Sequence, residues 1–193
     1  LSYGLPIRSP VRILSKAKWI REGCPESAIP RDKEHFKWPD GPGVMMIDYD
    51  APTDGPVLTC TELLGVIHEA VPPLRDVVML WWPSASSYIA NADTGEGLRN
   101  LQGQRLYMLV ENASDIPRAG KALVEYLWAS GYGHIQISKS GDMLDRTAVD
   151  GSVWQPNRFD FAAGAACQPP LHQNRGEPEL ISGSVEIADT AVL

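Results

Sequence analysis

The pattern of apolar and polar positions divides the chain into an irregular beginning and a regular remainder. Residues 1–43 hold only short apolar pieces, VRIL, KWI and FKW, among Pro and Gly, and predict a small irregular N-terminal lobe. PDGPG, at 39–43, is a strong turn signal, and it delivers the chain into Val44–Ile47. Four apolar residues in a row predict a strand buried on both faces. TCTELLGVIHEAV then sets Leu63, Leu64, Ile67 and Val71 at helical spacing, with Thr59 or Thr61 as the N-cap and two prolines as the stop. VVMLWW (77–82) and RLYMLVE (105–111) predict a second and a third strand. The polar, Gly-containing stretch between them reads as a loop. ASDIPRAGKALVEYLWASGYG predicts a helix with Ser114 or Asp115 as cap, Pro117 in its first turn and Gly131 at its end. HIQIS (134–138) predicts a fourth strand.

The order β-α-β-β-α-β is the ferredoxin-like split βαβ pattern. The expected fold class is therefore α+β: an RRM-like core over 44–193, preceded by the lobe 1–43. In that topology the first and third strands are neighbours at the sheet centre, which sets Asp48 and Asp50 beside Arg105. The helices cover one face and leave the other open.

The chemistry of interest begins where the first strand ends. Asp48 and Asp50 follow the apolar run at a spacing of two, so both project from one face of the sheet. Paired carboxylates at a strand end suit Mg²⁺, which prefers carboxylate oxygens together with substrate phosphates. Solvated acids flanking a turn would give the same short motif. A second constellation runs from Ser84, Ser86 and Ser87, just after the second strand, to Gly103, Gln104 and Arg105 at the start of the third. Hydroxyls and nearby backbone N–H groups are phosphate donors, and Arg adds a bidentate, charge-assisted contact; an ordinary surface hairpin is the plainer alternative. A third lies in DRTAVDGSVWQPNRFDFAAGA, where Asp150 or Asp160 would complete a three-carboxylate metal site and Arg158 stands between them.

Composition bounds these readings. The chain has 193 residues, 44% of them hydrophobic and 21% charged, which is the globular range. No apolar run approaches the roughly 20 residues needed to span a bilayer. Three scattered cysteines, Cys24, Cys60 and Cys167, form no CxxC pair and support neither a zinc ribbon nor a disulfide framework. A reducing, cytoplasmic setting is expected. The four histidines show no metal-ligand spacing, and Trp81, Trp82, Trp128 and Trp154 are expected in packing before base stacking. The net charge of −7 argues against nucleic acid as a partner, but its distribution softens that objection. Residues 1–43 carry eight Lys/Arg against five acids and are +3, leaving −10 for the remainder.

Taken in order, IDYD (47–50), SASS (84–87) closing with QRLYMLV (104–110), and AVD (148–150) resemble the three motifs of the archaeo-eukaryotic primase superfamily. The likeness is to the compact primase-polymerases of plasmids, phages and integrative elements. RFDFAAG (158–164) is similar to the stretch that trails the third aspartate in plasmid forms. The resemblance spans about residues 44–165. Arg105 stands where the family's second-motif histidine would align, and Asp160 rivals Asp150 as the third acid. The family's catalytic core is an RRM-like sheet. The resemblance implies a DNA primase and polymerase that transfers nucleotides on a single-stranded DNA template, with Asp48, Asp50 and Asp150 holding two divalent ions, Mg²⁺ or Mn²⁺. Ser86, Ser87, Arg105 and Arg158 would hold the triphosphate of the incoming NTP or dNTP, and the basic lobe would track template phosphates. The chain is expected to be an excised domain of a longer replication protein of a mobile element, with a helicase or a helical bundle elsewhere in the parent. The competing readings are a catalytically inactive RRM-like module that binds single strands by stacking, and another metal-dependent phosphotransferase or nuclease.

Overall fold

The computed structural model describes residues 3–52 and 55–193; Thr53 and Asp54 of the predicted turn, and the first two residues, lie outside them. The N-terminal lobe is more regular than its sequence suggests. β1 (Leu5–Pro6) pairs antiparallel with β4 (Phe36–Lys37), and β2 (Arg12–Leu14) runs parallel to β3 (Ala28–Pro30). Between β2 and β3 lies a short helix, α1 (Lys16–Arg21), whose Lys18 N–H donates to the Ser15 hydroxyl. Leu14, Ala28, Ile29 and Phe36 are buried beneath it.

β5 (Gly43–Asp50) pairs antiparallel along its whole length with β9 (Gly103–Val110). The other edge of β9 takes β6 (Met79–Pro83) and, beyond it, the short parallel β14 (Ile187–Ala188); β13 (Glu179–Ile181) flanks β6. Alternation along β5 sends Met45, Ile47 and Tyr49 into the core. Two helices cover that face. α2 (Cys60–Ala70) starts at Thr59, whose hydroxyl accepts from Glu62 N–H while the Glu62 carboxylate accepts from Thr59 N–H, a closed capping box that decides between the two candidate threonines. α3 (Ile116–Ala129) buries Ile116, Ala119, Leu123 and Leu127, a stripe at helical spacing. Asp115 stands at its N-cap, but its carboxylate holds Arg118 and the Thr190 hydroxyl, and Arg118 also donates to the Thr190 and Leu193 carbonyls. That pair ties the C-terminal segment to the helix. No described helix is long and apolar enough to cross a membrane.

The architecture is α+β, with the first and third predicted strands paired and the second on the far side of the third. Two expectations need correction. Val44 is 40% exposed, so full burial begins at Met45. The fourth predicted strand does not join the sheet either. β10 (His134–Ile137) folds back on β11 (Met143–Arg146) as a separate hairpin, and β5 is an edge strand instead of a central one. The reason is local. Ser138 N–H donates to Asp142 O at 2.9 Å across a tight turn that has Gly141 at φ +90°, and closing so short a loop costs little entropy. The vacant edge of β5 is then closed by an irregular segment. Asp150 N–H donates to Asp48 O and Trp154 Nε1 to Met46 O, both at 2.8 Å. The Gly-containing stretch after β6 also gains structure: β7 (Ile89–Asn91), β8 (Gly97–Arg99) and β12 (Leu171–Gln173) make a three-stranded flap.

The indole of Trp154 lies against the backbone of α3 at Gly120, where any Cβ would overlap the ring. An exposed mid-helix Gly→Ala change would gain about 1 kcal/mol from propensity. Gly120→Ala should instead lose about 1–3 kcal/mol through overpacking, and chemical denaturation reads the sign directly.

Candidate functional site

The face of the sheet opposite the helices carries Met46, Asp48 and Asp50 from β5, Arg105 and Tyr107 from β9, and Trp82 from β6. Register makes neighbours of them: Asp48 is opposite Arg105, Met46 opposite Tyr107, and Arg105 opposite Trp82. This face is open only in part. The segment 153–162 crosses it, and Tyr3 from the N-terminus bonds to the Met46 sulfur at 2.7 Å.

Arg105 is the hub. Its Nε lies 3.5 Å from Asp48 Oδ1, its Nη1 pairs with Asp160 Oδ1, and Nη1 also donates to Phe161 O at 3.3 Å. The Asp160 side chain is fully buried, and its Oδ2 accepts from the Tyr107 hydroxyl at 2.6 Å. Burial and then that hydrogen bond raise the Tyr107 hydroxyl well above its ordinary range, so it stays a donor. Tyr3 is raised by burial and then by Asp160. Although burial opposes the charge on Arg105, Asp160 and Asp48 hold it firmly protonated.

Asp48 sits in a tighter balance. Burial pushes its carboxyl up to about 6; Arg105 works against that shift, while Asp50, Asp150 and Asp160 add to it. Acids far apart in sequence therefore converge on Asp48 closely enough to feel its charge. Asp150 stands beside it through the backbone bond to Asp48 O, and its carboxylate accepts from Ser152 N–H and Oγ at 2.8 and 3.0 Å. Arg158 Nη2 approaches Asp150 Oδ2 at 3.9 Å. A cavity of about 240 Å³ opens here, lined by Asp48, Arg105, Asp160, Arg31, Arg158 and Phe161 among others.

Asp50 and the serines lie one register step further out. A Cβ at Gly103 would fall 2.8 Å from Ser84 Oγ and 3.1 Å from Asp50 Oδ1, so glycine lets the first two sequence motifs meet. The serines have different tasks. Ser87 is fully buried; its hydroxyl donates to Gly103 O and accepts from the Gln102 and Gly103 N–H groups. It is a latch between the turn and β9 and has no surface to offer a ligand, which corrects its expected role as a phosphate donor. Ser86 is exposed, with its hydroxyl 2.8 Å from that of Ser84. Arg105 is likewise committed to carboxylates and a carbonyl, so it positions acids more than it presents a free fork.

Sequence reasoning overlooked several members of the site. Tyr107 was legible in principle, two residues beyond Arg105 on the same strand face. Tyr3 and Arg31 come from the lobe, and no spacing rule connects them to β5. Arg175 was equally hidden. Its guanidinium stacks 3.8 Å from the Trp82 ring centroid and donates to Pro83 O at 3.0 Å and Ala162 O at 2.6 Å. It thereby holds the end of the crossing segment to β6. Burial and then Arg105 lower its pKa.

Among the described residues, the trio of ligand-type groups within 4.8 Å of one another is Asp32, Glu34 and His35 in the lobe. Lys16 Nζ, 3.5 Å from Asp32, already answers its charge. Asp48, Asp50 and Asp150 do not form so tight a cage. No protein-family model matches this chain, and neither a curated protein nor a solved structure is significantly similar to it.

The raised Asp48 carboxyl has a defined consequence for stability. A carboxyl that holds its proton more tightly when folded imposes no penalty below its ordinary value of 3.8, and the full penalty above about 6. Stability should fall as pH rises through that window. Asp48→Asn leaves nothing to titrate at that position and should remove the fall, as urea titrations on both sides of the window would show.

Proposed function

We propose that the protein is a primase-polymerase: it joins an NTP or dNTP to a 3′-hydroxyl on a single-stranded DNA template. The observation that carries this reading is the charge pattern around Asp48. Asp50, Asp150 and Asp160 all act on the Asp48 carboxyl, Arg105 pairs with Asp48 and Asp160, and Arg158 approaches Asp150. Counting Arg31, which lines the same cavity, four carboxylates face three guanidiniums, and the remaining negative charge suits a divalent cation. The donors are all oxygens, which suits Mg²⁺ or Mn²⁺, and their spread suits an ion that keeps waters and takes substrate oxygens.

Asp48, Asp50 and Asp150 would hold the metal, with Asp160 kept aside by Arg105 and Tyr107. Such an ion lowers the pKa of the attacking hydroxyl and neutralises the triphosphate and the leaving pyrophosphate. Arg158, with a side chain 46% exposed at the rim, is the group best placed to meet phosphate oxygens. The exposed Ser86 hydroxyl adds a donor next to Asp50. Arg105 keeps the acids in register and the segment 158–162 in place. Of the competing readings, a stacking module is the weaker, because Tyr107 is bonded to Asp160 and Trp82 lies under Arg175.

Incubating the protein with labelled nucleotide, primed single-stranded template and Mn²⁺ distinguishes the three readings: products lengthen for a polymerase, stay unchanged for a binding module, and shorten for a nuclease. Asp48→Ala and Asp50→Ala should each reduce extension to background while circular dichroism stays that of the parent. Extension retained by either variant would remove that residue from the site. Mn²⁺ should also raise the unfolding temperature of the wild type, because it binds the folded state alone. Asp50→Asn should lose most of that gain, and an equal gain in both proteins would remove the carboxylates as ligands.

A further inference from the structure

A second cavity, of about 330 Å³, adjoins the acidic one and shares Arg31 and Phe159 with it; Ile13, Leu14, Ser15 and Lys16 complete its lining. Its walls come from the N-terminal lobe and from the segment that crosses the sheet face. Their chemistry is mixed in a particular way. Lys16 and Arg31 are exposed cations. Ile13 and Leu14 are aliphatic, and the Phe159 ring is seated edge-to-face on Phe36 at 5.8 Å. Arg31 stacks over Phe159 with its guanidinium carbon 5.4 Å from the ring centroid, and among the described residues no carboxylate is paired with it. An unpaired cation beside an aromatic ring, at the junction of two cavities, suits an anion attached to a flat apolar group.

We propose that the second cavity is a subsite for single-stranded nucleic acid, in which Arg31 holds a backbone phosphate and Phe159, with Ile13 and Leu14, receives the adjoining base. The inference rests on the nucleotidyl-transfer reading of the acidic cavity, since it extends that site by one strand unit. Cationic grooves interleaved with aromatic rings bind single strands by charge and stacking together. The lobe's excess of three positive charges favours the same partner over the acid-rich remainder of the chain. Joined through Arg31, the two cavities run from a carboxylate end, which suits a reacting phosphate, to a cationic end, which suits a strand that continues past it.

The test uses the whole chain and fluorescein-labelled oligothymidylate, with binding followed by anisotropy over a range of salt concentrations. Arg31→Glu should weaken binding about tenfold and reduce the slope of log affinity against log salt by about one. Arg21→Glu, the same charge change on an exposed residue of α1 outside the cavity lining, should have a much smaller effect. Equal losses in both variants would mean diffuse attraction and overturn the subsite, as would wild-type affinity in Arg31→Glu. Binding of a fluorescent nucleoside triphosphate should fall less in Arg31→Glu than binding of oligothymidylate. A loss confined to the triphosphate would move Arg31 to the nucleotide and overturn the strand assignment. A wild type that extends no primer yet shows the Arg31 effect would keep the subsite and remove only the polymerase reading.

Discussion

The arrangement depends on one buried contact, the guanidinium of Arg105 held between Asp48 and Asp160. A buried charge is tolerated only when it is paired and hydrogen-bonded, and each of these three groups would be costly without the others. Removing one member of such a set typically costs about 3–5 kcal/mol, because the remaining charge is left uncompensated. Arg105 links β5, β9 and the crossing segment, since its partners come from all three. Tyr107 completes the anchor by bonding the second Asp160 oxygen. Together with the Trp154–Met46 and Arg175–Ala162 bonds, this contact holds residues 153–162 over the sheet.

The same contact divides the acids by task. Asp160, fully buried and bound on both oxygens, is neutralised within the protein. Asp48 keeps a longer, weaker approach to Arg105, and the acids around it act in the opposite direction. Charge therefore remains unbalanced on the outer side of the hub, toward Asp50 and Asp150. That gradient, from a buried, ion-paired carboxylate to more exposed ones, supports the proposed reaction on phosphate. Arg158 and Arg31 add positive charge to the lining of the same cavity.

The lobe belongs to the site as much as the sheet does. Gly4 N–H donates to Pro156 O at 2.9 Å, and a Cβ at Gly4 would overlap Pro156, so the start of the chain is pressed against the crossing segment. Phe36 and Phe159 repeat the contact with side chains. Residues 1–43 read as a separate basic piece when only composition is considered; in three dimensions they form one wall of both cavities.

The local elements were legible in the sequence because each is decided by nearby residues. The apolar run before Asp48 makes β5, the Thr59–Glu62 box starts α2, and Pro117 and Gly131 bracket α3. The pairing of Asp48 with Arg105 followed as well, since strand order and alternation set cross-strand neighbours. What the sequence could not decide was the occupant of the free edge of β5. A βαββαβ pattern reserves that place for HIQI, yet the short Ser138–Asp142 turn lets that strand pair with its own successor, and Trp154, admitted by Gly120, takes the edge instead. The segment that follows Trp154 then carries Asp160 to Arg105 and meets the lobe, which brings Tyr3 and Arg31 to the site. Periodicity reports which face a residue occupies, whereas the partner it meets there depends on long-range closures whose energies differ by little, and only the folded chain selects among them.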